Sequence, residues 1–236
     1  MEIHDLKRYL SDNAYPGRGV MLGRSADNRF AVIGYFIMGR SVNSRNRVFT
    51  KTEDGIKTEA FDPSKMEDPS LIIYHPVRVF EGSTIVTNGD QTDTIRDSLA
   101  GGHCFRHALM TREFEPDGPN FTPRISGIVS PEGDYKLSML KSLGGDPSCC
   151  CRYFYEYDVP KAGLAHIIHT YEGDGSPLPS FEGEPRPVKL EAANAQELAS
   201  LMWEGLNVDN KVSLYVSYIE LATGKSDSVI VNKHQK

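Results

Sequence analysis

A run almost free of charge, Phe30 to Met38, reads as a buried strand, and it empties into a cluster of arginines. In the stretch RFAVIGYFIMGRSVNSRNRVF the strand is followed by Arg40, Arg45 and Arg47, with Ser41, Asn43 and Asn46 between them. A guanidinium presents a planar fork of donors that matches the oxygens of a phosphate or carboxylate. The cluster therefore reads as an anion site, set against the plainer reading of a solvated basic edge. Between Arg24 and Arg47 there are five arginines and a single acid, Asp27, inside a chain of formal net charge -6. That overall charge speaks against non-specific nucleic-acid binding, which needs a basic face to displace phosphate counterions.

Three other stretches carry polar side chains that local structure does not account for. In STIVTNGDQTDTIRDSL, Asn88, Asp90 and Gln91 precede the expected helix cap and so are free for another role. In FEPDGPNFTPRISGIV, Asn120, Thr122 and Arg124 flank Pro123, with Glu115 and Asp117 upstream. A loop this rich in proline holds its side chains with little entropy left to lose. In LIIYHPVRVF, Tyr74, His75 and Arg78 lie in a β-rich run, where a tyrosine buries its ring and keeps its hydroxyl at an edge.

Other patterns fail. His103 and His107 have i,i+4 spacing but lack the glutamate of a zinc-protease helix. Cys104, Cys149, Cys150 and Cys151 form no C-x-x-C pair, and three adjacent cysteines do not wrap one tetrahedral ion. They read as buried free thiols, and no metal is expected. There is no phosphate-binding P-loop and no dinucleotide fingerprint, so no cofactor is expected either.

The elements that must position these residues are mostly strands. The 236 residues fit one domain of generous size or two small ones. No apolar run approaches the length of a membrane span and the opening MEIHDLKRYL has no apolar leader core, so a cytoplasmic chain off the membrane is expected. Strands are predicted over Gly19–Leu22, Arg29–Met38, Ser70–Phe80, Thr84–Thr87, Arg124–Val129, Tyr135–Leu140, Cys151–Tyr157, Ala165–Tyr171, Lys211–Ile219 and Ser228–Val231. SPEGDYKLSML and ELATGKSDSVI read as hairpins. A helix is predicted to open at Thr92 or Asp93 and stop at Gly101-Gly102, and a second to run from His103 to Phe114. A third is predicted to begin at Asn194, which forms a capping box with Glu197, and to end at Gly205. Gly173 to Pro187 reads as a surface loop. Paired strands with grouped helices give an α+β chain: two largely antiparallel sheets with helices outside.

GRSVNSRNRV, IIYHPVRV, VTNGDQTDTI and EPDGPNFTPRISGIV, in that order and spacing, resemble the archaeal-type IMP cyclohydrolase family over about Gly19 to Val129. The resemblance implies a single domain over residues 1–236, a four-layer αββα sandwich like that of the N-terminal-nucleophile hydrolases, and a homo-oligomer. It implies closure of 5-formamidoimidazole-4-carboxamide ribonucleotide to IMP with loss of water, with that purine ribonucleotide as substrate and IMP as product. By the same resemblance Arg40 and Arg45 hold the phosphate or the developing oxyanion, with Ser41 and Asn43 as neutral donors. Tyr74 donates to the formyl oxygen and Glu115 handles the amide proton. Asn88, Asp90, Asn120, Thr122 and Arg124 shape the base and ribose pocket. The family pattern has an arginine after the strand tyrosine, where this chain has Phe36 after Tyr35; that predicts one charge fewer in the pocket, with Arg47 or Arg78 to compensate. Two rival readings are an amide hydrolase on the same fold, with Cys104 or a serine as nucleophile, and a non-catalytic purine-nucleotide-binding relative.

Overall fold

The computed structural model describes residues 2–66, 69 and 72–234. Thirteen strands form two sheets among these residues, with every strand pair antiparallel. In chain order the elements are α1 (Leu6–Ser11), β1 (Arg18–Arg24), β2 (Phe30–Met38), α2 (Val42–Arg45), β3 (Arg47–Thr52), β4 (Gly55–Ala60), β5 (Val77–Phe80), β6 (Ser83–Thr87), α3 (Gln91–Ala100), α4 (Phe105–Met110), β7 (Arg124–Val129), β8 (Tyr135–Leu143), β9 (Asp146–Tyr157), β10 (Leu164–His169), β11 (Arg186–Lys189), α5 (Ala195–Gly205), β12 (Lys211–Glu220) and β13 (Ser226–Asn232). The six-stranded sheet runs β11-β10-β1-β2-β12-β13 and the seven-stranded sheet β3-β4-β5-β6-β7-β8-β9.

Period-two alternation along the strands sorts the apolar side chains into layers. Val20 and Leu22 of β1 and Ile33, Tyr35 and Ile37 of β2 face Phe49, Ile56, Val77, Val86, Ile125 and Leu137 of the other sheet, forming the core between the sheets. Met21, Val32 and Phe36, from the opposite face of the six-stranded sheet, pack under Leu6 and Leu10 of α1 and Leu198 and Met202 of α5. Ile85, Ile128 and Leu140 pack under Ile95 of α3 and Phe105 and Leu109 of α4. Helices thus cover the outer faces of a two-sheet sandwich, and each fully buried aliphatic side chain contributes about 1.5–3 kcal/mol.

One side chain ties an edge of each sheet together. Asn232, on edge strand β13, donates from Nδ2 to the Phe49 carbonyl of edge strand β3 and accepts from the Phe49 N–H, at 3.0 and 2.9 Å.

The predicted hairpins form β7–β8 and β12–β13. The long strand predicted over Ser70–Phe80 is not formed. Ser70 and Leu71 lie outside the described residues, and regular pairing begins only at Val77, after Pro76. Tyr74 sits instead in a bend pinned by Thr58, whose Oγ1 accepts from Tyr74 N–H at 2.9 Å while the Thr58 N–H donates to the Tyr74 carbonyl. The helix predicted to open at Thr92 or Asp93 opens at Gln91, because the Thr92 hydroxyl is engaged with Gly89 O and Thr87. The helix predicted over His103–Phe114 is confined to Phe105–Met110: Cys104 is extended, and the Thr111 hydroxyl turns back onto Ala108 O. Gly205 is the last helical residue rather than the cap; a β-carbon there would sit 3.0 Å from Lys7 O, so the glycine serves the close approach of α1 and α5. The helices α1 and α2 and the strands β3, β4 and β11 have no counterpart in the predicted set, and β11 takes the end of the expected loop. The cysteines are free, but Cys104 is exposed and the other three are half-buried.

Candidate active site

Strand parity aims Arg18 into the gap between the sheets. It heads β1 two residues before the inward-facing Val20, and is paired with Ile37 of β2. Burial works against its charge, but Glu115 and then Tyr171, Tyr74 and Tyr15 outweigh that, holding its pKa above the usual arginine value. Arg47 enters the same space from the head of β3 and is completely buried. Its Nε donates to Ser44 O at 2.8 Å and one terminal nitrogen donates to Met38 O at 3.1 Å. Burial first, and Arg18 second, push the Arg47 pKa below its usual value. The guanidinium nonetheless stays charged in a protein.

Two cations that repel each other therefore share a desolvated place. The other terminal nitrogen of Arg47 and the Nε of Arg18 are buried, and neither has a hydrogen-bond partner among the described residues. A buried donor left unmade costs about 1–3 kcal/mol, so the arrangement is stable chiefly with an acceptor between them. An anion with several oxygens supplies it.

The other groups around this place are acid–base groups and hydroxyls. Tyr35, wholly buried in β2, and Tyr74, in its bend, bring their hydroxyls within 2.9 Å. The Tyr35 ring stacks on Phe49 at 5.6 Å. Glu115 is 2% exposed; burial raises its carboxyl pKa, Arg18 and Arg124 oppose that, and Asp117 adds to it. A carboxyl raised in this way is better suited than an ordinary one to taking and returning a proton. Glu115 N–H donates to Thr122 O at 2.9 Å, closing the base of the proline-rich loop. The Thr122 hydroxyl donates to the Asp117 carboxylate, so it accepts from the Tyr171 hydroxyl at 2.5 Å. Tyr171 stacks on Tyr15, and the Arg40 guanidinium lies 5.0 Å above the Tyr15 ring.

Of the residues singled out in the sequence, Tyr74, Glu115 and Thr122 meet in this cluster, and Arg40 stands at its rim. There it is bonded to the Asp174 carboxylate and to Gly175 O. Asn120 accepts from the Leu178 N–H at 3.0 Å and so fixes the same loop. One terminal nitrogen of Arg124 donates to both Asp90 and Gln91, each at 2.7 Å. The Asp90 carboxylate also takes Arg112, and these two arginines outweigh burial in holding its pKa down. Asn88 donates to Pro123 O and accepts from Ile125 N–H and from Gln91 Nε2. Arg45 is not brought to the cluster: it donates to Gly39 O and Asn210 and lines a separate cavity of about 280 Å³ with Phe61, Lys65 and His234. The Ser41 hydroxyl accepts from Ser44 N–H and caps α2, while the buried Asn43 Oδ1 has no partner.

Phe36 does not sit where a pocket charge was expected. Its ring faces the helix layer, over Gly19, where an added β-carbon would lie 2.2 Å from it. Arg78 is held by Asp54 and by Asp93, the latter at 2.5 Å. Cations reach the inter-sheet space from Arg18 and Arg47. Arg18, Tyr35, Tyr15 and Tyr171 were missed in the sequence; the usable signal for Arg18 was its even spacing from Val20 and Leu22. Cys104 lies on the outer helix layer, lining a cavity of about 240 Å³ with Leu99, Phe105 and Lys136. Among the described residues no group of three or more His, Cys, Asp or Glu is arranged to hold a metal ion.

Comparison with known proteins agrees across most of the chain. The family described as IMP cyclohydrolase-like protein matches residues 15–225. An IMP cyclohydrolase of Methanothrix thermoacetophila is 30% identical over 189 residues, covering 78% of this chain and 83% of that protein. One from Methanopyrus kandleri is 28% identical over 182 residues, covering 71% and 89%. One from Thermococcus kodakarensis is 28% identical over 213 residues, covering 89% and 94%.

Proposed function

The chain belongs to the IMP cyclohydrolase-like protein family, and on that premise we propose that it closes 5-formamidoimidazole-4-carboxamide ribonucleotide to IMP with loss of water. The observation that carries this assignment to the present residues is the pair of incompletely bonded arginines, buried Arg47 and half-buried Arg18, beside the raised carboxyl of Glu115.

In the reaction, the carboxamide nitrogen attacks the formyl carbon of the same molecule and the former formyl oxygen leaves as water. Both reacting groups are already tethered, so holding the near-attack conformer can supply several kcal/mol. Glu115 takes the carboxamide proton and returns it to the former formyl oxygen, and the second proton of the departing water comes from the formamido N–H as the C=N bond forms. Tyr74 donates to the formyl oxygen as it gains negative charge, the place where a preorganised donor counts most. Arg18 and Arg47 hold anionic oxygen, either the 5′-phosphate or the developing oxyanion. Arg40 joins them once its contact with Asp174 opens, and Arg45 braces the α2 turn that presents it. Ser41 shapes that turn and Asn43 adds a neutral acceptor; Asn88, Asp90, Asn120, Thr122 and Arg124 form the wall on which the base and ribose rest.

The helix layers outside two sheets support a sandwich related to the N-terminal-nucleophile hydrolases, within one domain. Metal-independent turnover, assembly as a homo-oligomer and a cytoplasmic site complete the reading; no described helix is long and apolar enough to cross a membrane. The test is ultraviolet monitoring of the formylated ribonucleotide with purified protein. Accumulation of IMP above the uncatalysed rate is expected. An unchanged spectrum, with the nucleotide recovered intact, would sink the assignment.

A further inference from the structure

Tyr35, like Tyr171, bonds only another hydroxyl through its own among the described residues. It is completely buried, its strand is paired on both sides by β1 and β12, and its ring lies against Phe49. Its only hydrogen-bond partner among the described residues is Tyr74, at 2.9 Å. Two tyrosine hydroxyls can bond in either direction, but the directions are not equal. If Tyr35 accepted, its own proton would be buried without a partner, at a cost of about 1–3 kcal/mol. If it donates, that proton is used and the Tyr74 proton is released to point elsewhere. Burial, with the neighbouring Tyr74 next, also holds Tyr35 firmly in its neutral, donating form.

We propose that Tyr35 is a positioning residue that fixes the direction of the Tyr74 proton: by donating to Tyr74, it turns the Tyr74 O–H toward the substrate oxygen. The inference rests on the proposed cyclisation and on Tyr74 as the donor in it. Donation into the Tyr74 oxygen also polarises the outgoing Tyr74 O–H, so the bond strengthens as negative charge grows on its acceptor. The effect belongs to the transition state more than to the bound substrate.

The test is a cycle of Tyr35→Phe, Tyr74→Phe and the double variant, read by steady-state turnover, by IMP binding calorimetry and by thermal melting. Tyr35→Phe keeps the ring, its burial and its stack on Phe49. Its expected effect is a fall in kcat of about tenfold, as for one lost hydrogen bond, with KM and IMP affinity within about twofold of the parent. In the Tyr74→Phe background the same change is expected to leave kcat unaltered, because there is no proton left to direct. A purely structural role would instead lower the melting temperature in both backgrounds while kcat falls equally in both. Such equal falls, or a change confined to KM, would overturn the inference. So would an unaffected kcat in Tyr35→Phe beside a damaged Tyr74→Phe, with the reading of the site left standing. If Tyr74→Phe turns over normally, or the parent protein makes no IMP, the reading of the site fails and this inference fails with it.

Discussion

Arg18 and Arg47 each keep a buried donor with nothing to bond among the described residues, as Arg24 and Arg152 also do, and Arg18 and Arg47 are the two whose charges meet between the sheets. Arg45 is spent on Gly39 O and Asn210, and Arg29 pairs with Glu220 at the surface. Arg18→Gln is therefore expected to lower kcat/KM by about ten- to hundredfold, the equivalent of one charge-assisted bond of roughly 1.5–3 kcal/mol. Arg29→Lys and Arg45→Lys should stay within about twofold. Steady-state kinetics with IMP binding decides which oxygen Arg18 serves: a raised KM with weaker IMP binding marks the phosphate, a lowered kcat marks the oxyanion. A ranking with Arg45 most sensitive would return the anion site to the α2 turn. Glu115 adds a pH signature. In the proposed role its carboxyl must be ionised to take the amide proton, and burial raises its pKa. Activity should thus fall, as pH drops, at a higher pH than an ordinary glutamate would give, and Glu115→Gln should remove the dependence along with most of the rate. At this scale the sequence exposed the residues that cluster in order along the chain, Tyr74, Glu115 and Thr122 among them. It hid Tyr35, because a residue inside a nine-residue apolar run gives no sign of which face its hydroxyl will meet, and it left Arg18 with only its even spacing from Val20 and Leu22.

Strand β10 buries two histidines, and both are neutral in the fold. Burial lowers the His166 pKa to about 4 and the His169 pKa to about 3. His166 bonds the Tyr135 hydroxyl at 2.7 Å; His169 meets Tyr9 on one nitrogen and Tyr171 O on the other. The unfolded chain takes up these protons below pH of about 6.5, whereas the folded chain resists them. Stability attached to each is therefore complete above that pH and declines as pH falls toward the folded value. The decline is about 1.4 kcal/mol per pH unit for each histidine. Denaturant unfolding between pH 6.5 and 5 should show it, and His166→Gln should flatten the slope by about half; an unchanged slope would mean that the histidine is solvated. In the helix layer over the same sheet, Asn194 accepts from Glu197 N–H to cap α5, and Asn194→Ala should cost about 1 kcal/mol. Elements with a clean period, such as β7 and β12, were legible to within a residue. The polar hairpin β3–β4 was not, since RVFTKT and GIKTEA carry too few apolar residues to announce a strand. Tertiary pairing makes them strands, with Thr58 buried to hold the Tyr74 bend.

Over the whole molecule, the candidate site residues gather between the two sheets, and the outer helices stand apart from them. Cys104 belongs to the outer layer, so Cys104→Ala should leave turnover within about twofold of the parent. A folded but inactive variant would favour a thiol nucleophile and an amide hydrolase. The architecture was legible in outline because strands arrived in pairs and helices in groups. Where between the sheets the site forms was not, because that depends on parity at Arg18, Tyr35 and Arg47 together. The Asn232 clamp has a consequence of a different kind. Edge strand β3 offers a free row of backbone donors and acceptors, the template on which foreign chains add. With its paired bonds to the Phe49 backbone, the Asn232 amide behaves as a one-residue strand, closing that template with material from the other sheet. Asn232→Ala should accordingly matter little to catalysis and much to colloidal behaviour. Static light scattering of concentrated solutions should rise with time in the variant and stay flat in the parent, so the carboxamide of one residue near the chain's end acts as a guard against self-templated growth.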